Sequence, residues 1–445
     1  MAEMVIPICS QEEAFHLLDQ LLLLLNYDPL IDEVGFIHPS LLLMLKEEEE
    51  NRLNHSSGRQ ELDDNETTVL EDSALKAKNA FFWSREHKLG ISTAYLLPFY
   101  RAAKTRFMDA YESYKMHASD VDVETENELM KHSTALLLLS SDFGTAWNAR
   151  KHIISKRGNF PIKNELHISA LVLSFAPKSE NAWSYRRWVI KKIAGRCATA
   201  TLEDILENES KIVEKIAEKS KMNYRAWNHR CWLIPFMTSQ QVLHELKINR
   251  GWATSHVADS SCFHYRREHT STFGRDVIGK LMSQMLCDRS PETSVVACSY
   301  KFESLQQLWK DELDWNESLI RRYIGREALW LHRRFLSVCW VKHFGADQDG
   351  SSLHSTAEGV EDTHVSVFID NEVGLLQDSI GLPDSIFEDV QSQITHSASY
   401  ILWLDREICR PSNIILDKKL GADDLMTLLN KLCPEKTKVW NCLLH

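Results

Sequence analysis

The chain has 445 residues, a net charge of −12 and ten Cys with no CxxC pair. At 44% hydrophobic it is globular, its acidity speaks against a nucleic-acid partner, and its Cys pattern offers no metal cluster and fits a reducing compartment. With only 16 Gly and 11 Pro, long helices are expected rather than many tight turns.

The opening MAEMVIPICSQEEAF has no basic stretch of the kind that starts a signal peptide. Residues 10–45 read as one or two amphipathic helices, and the run Leu21–Leu25 is far too short to cross a membrane. Residues 46–73 are acidic and polar, which reads as a solvated loop or disordered insert. Residues 75–118 return to a helical pattern, with Leu96, Tyr100, Ala103 and Phe107 on one face. Residues 1–123 thus form an N-terminal helical region, 124–340 a repeat array, and 341–445 a polar loop (345–370) followed by C-terminal helices. A cytoplasmic protein without a transmembrane segment is expected.

The array is marked by an aromatic residue followed three positions later by Arg. The pairs are Trp147/Arg150, Trp183/Arg186, Trp227/Arg230, Phe263/Arg266 and Trp330/Arg333. The aromatic spacings are 36, 44, 36 and 67, so the last gap holds an insertion, placed within 270–305. Glu stands 18 residues before the aromatic at Glu165, Glu209, Glu245 and Glu312, and Glu128 stands 19 before Trp147. A degenerate sixth unit is read at Trp403/Arg406, with Ser385 in the place of Glu.

Each unit reads as helix, turn, helix. Aromatic and Arg at i and i+3 share one face of the second helix, and the Glu opens the first, where negative charge suits the helix dipole. Glu165 and Arg186 are symmetric about Phe175–Lys178, and Glu209 and Arg230 about Lys219–Lys221, which places the turns there. The other two centres fall at 255.5 and 322.5. Glu–Arg pairs are therefore expected across each hairpin or to a neighbouring hairpin, shielded by the aromatic. Tyr185, His229, Tyr265 and His332 share the slot before Arg, which speaks for packing and against metal ligation. The fold class is all-α: stacked antiparallel hairpins forming a right-handed, TPR-like superhelical solenoid with an extended concave face.

Glu-Leu, about eighteen residues, then Trp-x-x-Arg is similar to the repeat of protein prenyltransferase α subunits, with NYRAWNHRCWL and PKSENAWSYRRW especially close. Among these the chain most resembles the Rab geranylgeranyltransferase α subunit. The resemblance implies a heterodimer in which this chain holds a β subunit, that of Rab geranylgeranyltransferase. The β subunit would carry zinc and the isoprenoid pocket, so no cofactor or metal is expected in this chain. Geranylgeranyl diphosphate would be the co-substrate. The acceptors would be selected proteins with a C-terminal Cys, including ones already lipidated.

In the farnesyltransferase α subunit a Lys just before Asn-Tyr in the third repeat approaches the diphosphate. Here that repeat reads Ser220, Lys221, Met222, Asn223, Tyr224, so Met222 is aligned and Lys221 precedes it. Lys221 is the catalytic candidate by this likeness, against the plainer reading of a solvated turn lysine. Lys178, at the aligned place of the second repeat, and Asn223, Tyr224 and Asn228 are candidates for the partner interface, against local packing and capping. The terminal Cys442-Leu443-Leu444-His445 has the form of a prenylation box, with an unusual final residue. The alternative to a transferase subunit is a helical-repeat scaffold or escort that binds partners without transferring lipid.

Overall fold

The structure, a computed structural model, describes residues 10–56, 81–116, 122–157, 162–195, 199–268, 293–344, 364–381, 388–421 and 424–444. It divides into two compact units, Met1–His229 and Arg230–His445.

The first unit opens with α1 (Gln11–Tyr27), started by a capping box in which Ser10 and Glu13 satisfy each other's backbone N–H. A strand, β1 (Glu33–Ile37), interrupts the expected helices before α2 (Pro39–Ser56). Helix α2 runs into the acidic stretch, so residues 46–56 are helical, and 57–73 lie outside the described residues. Strands β2 (Phe82–Arg85) and β3 (Lys88–Ser92) follow where a helical pattern was expected. They form a three-stranded sheet of order β1-β3-β2, parallel between β1 and β3 and antiparallel between β2 and β3. The fold is all-α as expected, and the helical reading of these segments alone is corrected by the small sheet. Helix α3 (Leu96–Met116) buries Phe99, Ala103 and Phe107, two of which lie on the expected face.

Hairpin one is α4 (Val123–Leu139) with α5 (Gly144–Lys156), hairpin two α6 (Ile162–Phe175) with α7 (Glu180–Ala194), and hairpin three α8 (Thr199–Lys219) with α9 (Tyr224–Leu233). The turns fall where symmetry placed them. Ser179 caps α7 at the Ala182 N–H and Asn223 caps α9 at the Ala226 N–H, each filling one of the orphan donors of a helix start. The sheet is fixed to hairpin two. The Val34 N–H donates to Ser174 Oγ at 2.9 Å, and Phe36 meets Phe175 edge-on at 5.1 Å.

The second unit holds hairpin four, α10 (Ser239–Ser255) with α11 (260–268), and hairpin five, α12 (Thr293–Arg322) with α13 (Glu327–Phe344). Of the insertion expected within 270–305, residues 293–305 belong to α12 and 270–292 lie outside the described residues. Hairpin six is α14 (His364–Ile380) with α15 (Glu388–Leu404). The expected polar loop thus ends at His364, and 345–363 lie outside the described residues. Short helices α16 (Leu416–Lys419), α17 (Leu425–Leu432) and α18 (Thr437–Leu444) complete the unit. No described helix is long and apolar enough to cross a membrane.

Candidate functional site

The motif residues are inside the fold. Glu165, Glu209, Glu245 and Glu312 and the five Arg side chains are all at most 5% exposed. Of the two pairings open in the sequence, the structure takes the second: each Arg reaches the Glu of the next hairpin. Arg150 forks onto Glu165 at 2.9 and 2.7 Å, and Arg186 onto Glu209 at 2.6 Å through both nitrogens. In the second unit Arg230 binds Glu245 at 2.6 Å, Arg266 binds Glu312 at 3.1 Å, and Arg333 binds Glu372 at 3.0 Å. The third guanidinium nitrogen turns back to its own hairpin. It donates to the carbonyls of Met130, Leu166, Leu246 and Leu313 from Arg150, Arg186, Arg266 and Arg333. One planar fork thereby ties three helices, which a lysine's single point charge could not do.

Within a hairpin the Glu is met by the residue before Arg. Tyr185 donates to Glu165 at 2.5 Å, His229 lies 3.0 Å from Glu209, Tyr265 donates to Glu245 at 3.3 Å, and His332 lies 3.3 Å from Glu312. The mirror partner of each Glu is thus one residue short of the Arg. These four side chains, read as packing, are the second donor at four of the five joints. Their recurrence beside Arg was the signal available in the sequence.

The aromatics close each joint. The Trp147 and Trp183 indoles donate to the carbonyls of Ser141 and Pro177, in the turns just before their helices. Their rings then lie 4.6 Å from Tyr185 and 4.8 Å from His229, the slot residues of the following hairpins. Phe263 meets His332 at 5.5 Å in the same way.

Electrostatics follow from burial opposed by these donors. Burial alone would raise the Glu209 carboxyl, but the Arg186 charge and the His229 hydrogen bond outweigh it, and the group titrates at about 2. Glu312 is lowered against burial by Arg266 and His332 in the same manner. Burial lowers His229 and His332 below the usual imidazole value and pushes the Tyr185 and Tyr265 hydroxyls well up, so all four stay neutral donors at pH 7.

Three expectations are corrected. Glu128 is not the first-hairpin counterpart. Leu129 holds that place, fully buried, while Glu128 pairs with Lys131 and His132. The Glu does not in general open its helix. Glu165, Glu209, Glu245 and Glu312 stand ten residues before the helix ends Phe175, Lys219, Ser255 and Arg322, and only Glu165 lies in a first turn. The turn and the Arg fork set the position, not the dipole. The sixth unit is registered on Glu372 and Tyr400, which bond at 2.7 Å, with Ile401 in the Arg place and Ala398 in the Trp place. Trp403 and Arg406 are out of that register, and Ser385 lies outside the described residues.

The candidates carried by resemblance gather at the turn ends of hairpins two and three. Lys178, Lys221, Tyr224 and Asn228 are exposed there. Asn223 is corrected as an interface candidate, because it is fully buried and donates to the Pro177 carbonyl at 2.8 Å, linking two turns. Met222, at the aligned Lys place, has φ of 53°, a left-handed conformation uncommon outside glycine. The described residues contain no group of His, Cys, Asp and Glu able to hold a metal. Burial pushes the thiols of Cys231 and Cys262 up to about 12, so neither is a ready nucleophile. Cys442 is exposed and lies within α18.

A family model described as the protein prenyltransferase alpha subunit repeat matches residues 162–193, 206–237 and 309–339. These spans fall on hairpins two, three and five, the hairpins in which Glu, Trp, Tyr or His, and Arg all occur together. The chain is similar to protein prenyltransferase alpha subunit repeat-containing protein 1 of Danio rerio, 28% identical over 65% of this chain and 70% of that protein. It is 28% identical to the Homo sapiens protein of the same name, over 56% of this chain and 67% of that one. It is also 28% identical to geranylgeranyl transferase type-2 subunit alpha of Dictyostelium discoideum, over 23% of this chain and 33% of that protein. By its joints and by these likenesses, the chain is a helical-repeat protein in which three hairpins match the protein prenyltransferase alpha subunit repeat.

Proposed function

We propose that this chain is the α-type subunit of a heterodimeric protein geranylgeranyltransferase, paired with the β subunit of Rab geranylgeranyltransferase and working in the cytoplasm. The observation that carries the reading is the set of complete Glu, Trp, Arg hairpins together with the likeness to geranylgeranyl transferase type-2 subunit alpha. All these motif groups are consumed inside the fold, so they build a support. The exposed turn ends with Lys178, Lys221, Tyr224 and Asn228 are then the surface that meets β.

In the reaction, the thiolate of an acceptor's C-terminal Cys attacks the first carbon of geranylgeranyl diphosphate. A thioether forms, the carbon–oxygen bond breaks and diphosphate leaves with the electron pair. The acceptors are selected proteins, including ones already carrying a lipid. Zinc in the β subunit would hold the thiolate. Lys221, at the turn, would stabilise the charge that grows on the leaving diphosphate.

Co-expression with β subunits, followed by transfer of labelled geranylgeranyl to acceptor proteins, tests the reading. A stable heterodimer that transfers lipid is expected, with turnover lowered by Lys221→Ala. Failure to bind any prenyltransferase β subunit would overturn it.

A second reading has its own support. Met222 stands where the resemblance calls for Lys, and the names of the repeat-containing relatives state no activity. Under it the chain is a scaffold or escort that binds partners, and no lipid transfer is the expected result.

A further inference from the structure

A cavity of 660 Å³ lies between α6 and α8 in the first unit, with Asp32 at its edge. Its size is that of small-molecule sites, which run from about 300 to 1,000 Å³. Leu166, Ala170 and Leu173 line it from α6, and Ile205, Ile212 and Ile216 from α8. Ile205 and Ile216 are about 16 Å apart along the helix, the length of an extended alkyl chain rather than of a compact ring. Arg186 and Glu209 also border the cavity, but their charges are spent on each other at 2.6 Å.

The rest of the charged lining is mostly paired. Lys163, Lys211, Lys215 and Lys219 stand against Asp32 and Asp204. Three of these lysines are neutralised: Lys211 by Glu207 at 2.8 Å, Lys215 by Asp32 at 2.7 Å, and Lys219 by Glu33. Two charges of the lining, Lys163 on α6 and Asp204 on α8, have no ion-pair partner among the described residues. His167 stands one helical turn on from Lys163 and so shares its face. It is half-buried, lines the cavity and makes no hydrogen bond among the described residues. One unpaired ammonium and one unused imidazole thus sit together on one face of α6, at its N-terminal end beside the apolar trough. Together they offer two donors on one helix face to an anionic head group.

We propose that this cleft binds an organic anion with a linear apolar tail. Lys163 and His167 hold its carboxylate or phosphate head, and the chain lies along the leucine and isoleucine walls. The site needs no partner subunit and stands apart from the transferase reading.

Isothermal titration of the full chain with dodecanoate and dodecyl phosphate below their micelle concentrations, and with dodecanol below its solubility limit, tests it. Saturable one-to-one binding of at least one anion is expected, and the tighter of the two identifies the head group. Dodecanol is expected to bind at least tenfold more weakly. Lys163→Glu lies on the exposed rim and should weaken the anion at least tenfold with an unchanged melting temperature. Ala170→Trp should fill the trough and abolish binding, whereas Lys431→Glu in the second unit should change nothing. Absence of saturable anion binding, equal affinity for dodecanol, or full affinity in Lys163→Glu would each overturn the proposal.

Discussion

At each joint one carboxylate serves two donors from two hairpins. Glu209 takes the Arg186 fork from hairpin two and the His229 ring from its own hairpin, at 1% exposure. Arg186→Met would leave that buried charge with one neutral donor, a loss of about 3–5 kcal/mol for a broken buried pair. Arg186→Met with Glu209→Met should recover most of it, because an apolar replacement of the whole pair is often close to neutral. Urea unfolding of the two single variants and the double variant measures this, and a double variant as unstable as Arg186→Met would contradict it. The same joint makes stability acid-sensitive. Burial holds the folded His229 below its unfolded value of 6.5, so its contribution is whole above that pH and is lost as pH falls below it. Glu209, lowered from 4.5 to about 2, contributes fully above 4.5 and loses its share as pH falls toward 2. His229→Tyr places in hairpin three the donor that Tyr185 supplies in hairpin two. Its melting temperature should fall less between pH 7.5 and 5.5 than that of the natural chain. Equal falls would remove His229 as the source.

At the scale of elements, the turns were legible in the sequence because Glu and Arg are symmetric about them. The partner was not. A guanidinium on the outer face of a second helix is as close to the next hairpin as to its own, and sequence distance does not decide between them. The sheet was missed because its strands are four or five residues long, too short for alternation to stand out from a helical pattern. The sixth hairpin was read in the wrong register because Trp403 and Arg406 imitate the motif, while the Glu372 and Tyr400 that define the joint stand 28 residues apart rather than the 20 of the other hairpins. The joint between hairpins five and six adds a device of its own. Gln393, on α15, accepts from the Gly325 N–H at 2.8 Å and from the Trp330 indole at 3.1 Å. Gly325 has φ of +74°, and a Cβ there would lie 2.5 Å from the Asp389 carbonyl oxygen. Gly325→Ala combines left-handed strain of about 1–2 kcal/mol with that contact. It should destabilise the second unit by about 2 kcal/mol or more, read as a fall in the chemical-denaturation midpoint. A change within a few tenths of a kcal/mol would show that the turn relaxes freely.

At the scale of the molecule, the motif changes where the series of joints begins and ends. Among the described residues no motif Arg precedes hairpin one, and it lacks both halves of the acceptor: Leu129 replaces Glu and Ala149 replaces Tyr or His. Hairpin six keeps the acceptor, Glu372 with Tyr400, and lacks the donors, with Ala398 and Ile401 in their places. Among the described residues no motif hairpin precedes hairpin one or follows hairpin six, and the places that would need such a partner, 129 and 401, hold buried apolar side chains. This separates residues that build the support from residues free to meet a partner, and the two classes can be told apart by experiment. Arg186→Met should lower the folded fraction while the folded chain keeps its affinity for a prenyltransferase β subunit. Lys178→Glu with Lys221→Glu reverses two exposed charges and removes no buried bond, so the melting temperature should hold within a degree or two. Its affinity for the β subunit should fall at least tenfold if the turn ends form the interface. Stability from thermal melts and affinity from titration of the purified subunits distinguish these outcomes. If the charge-reversed chain bound β as well as the natural one, the interface would have to lie on another face of the hairpins.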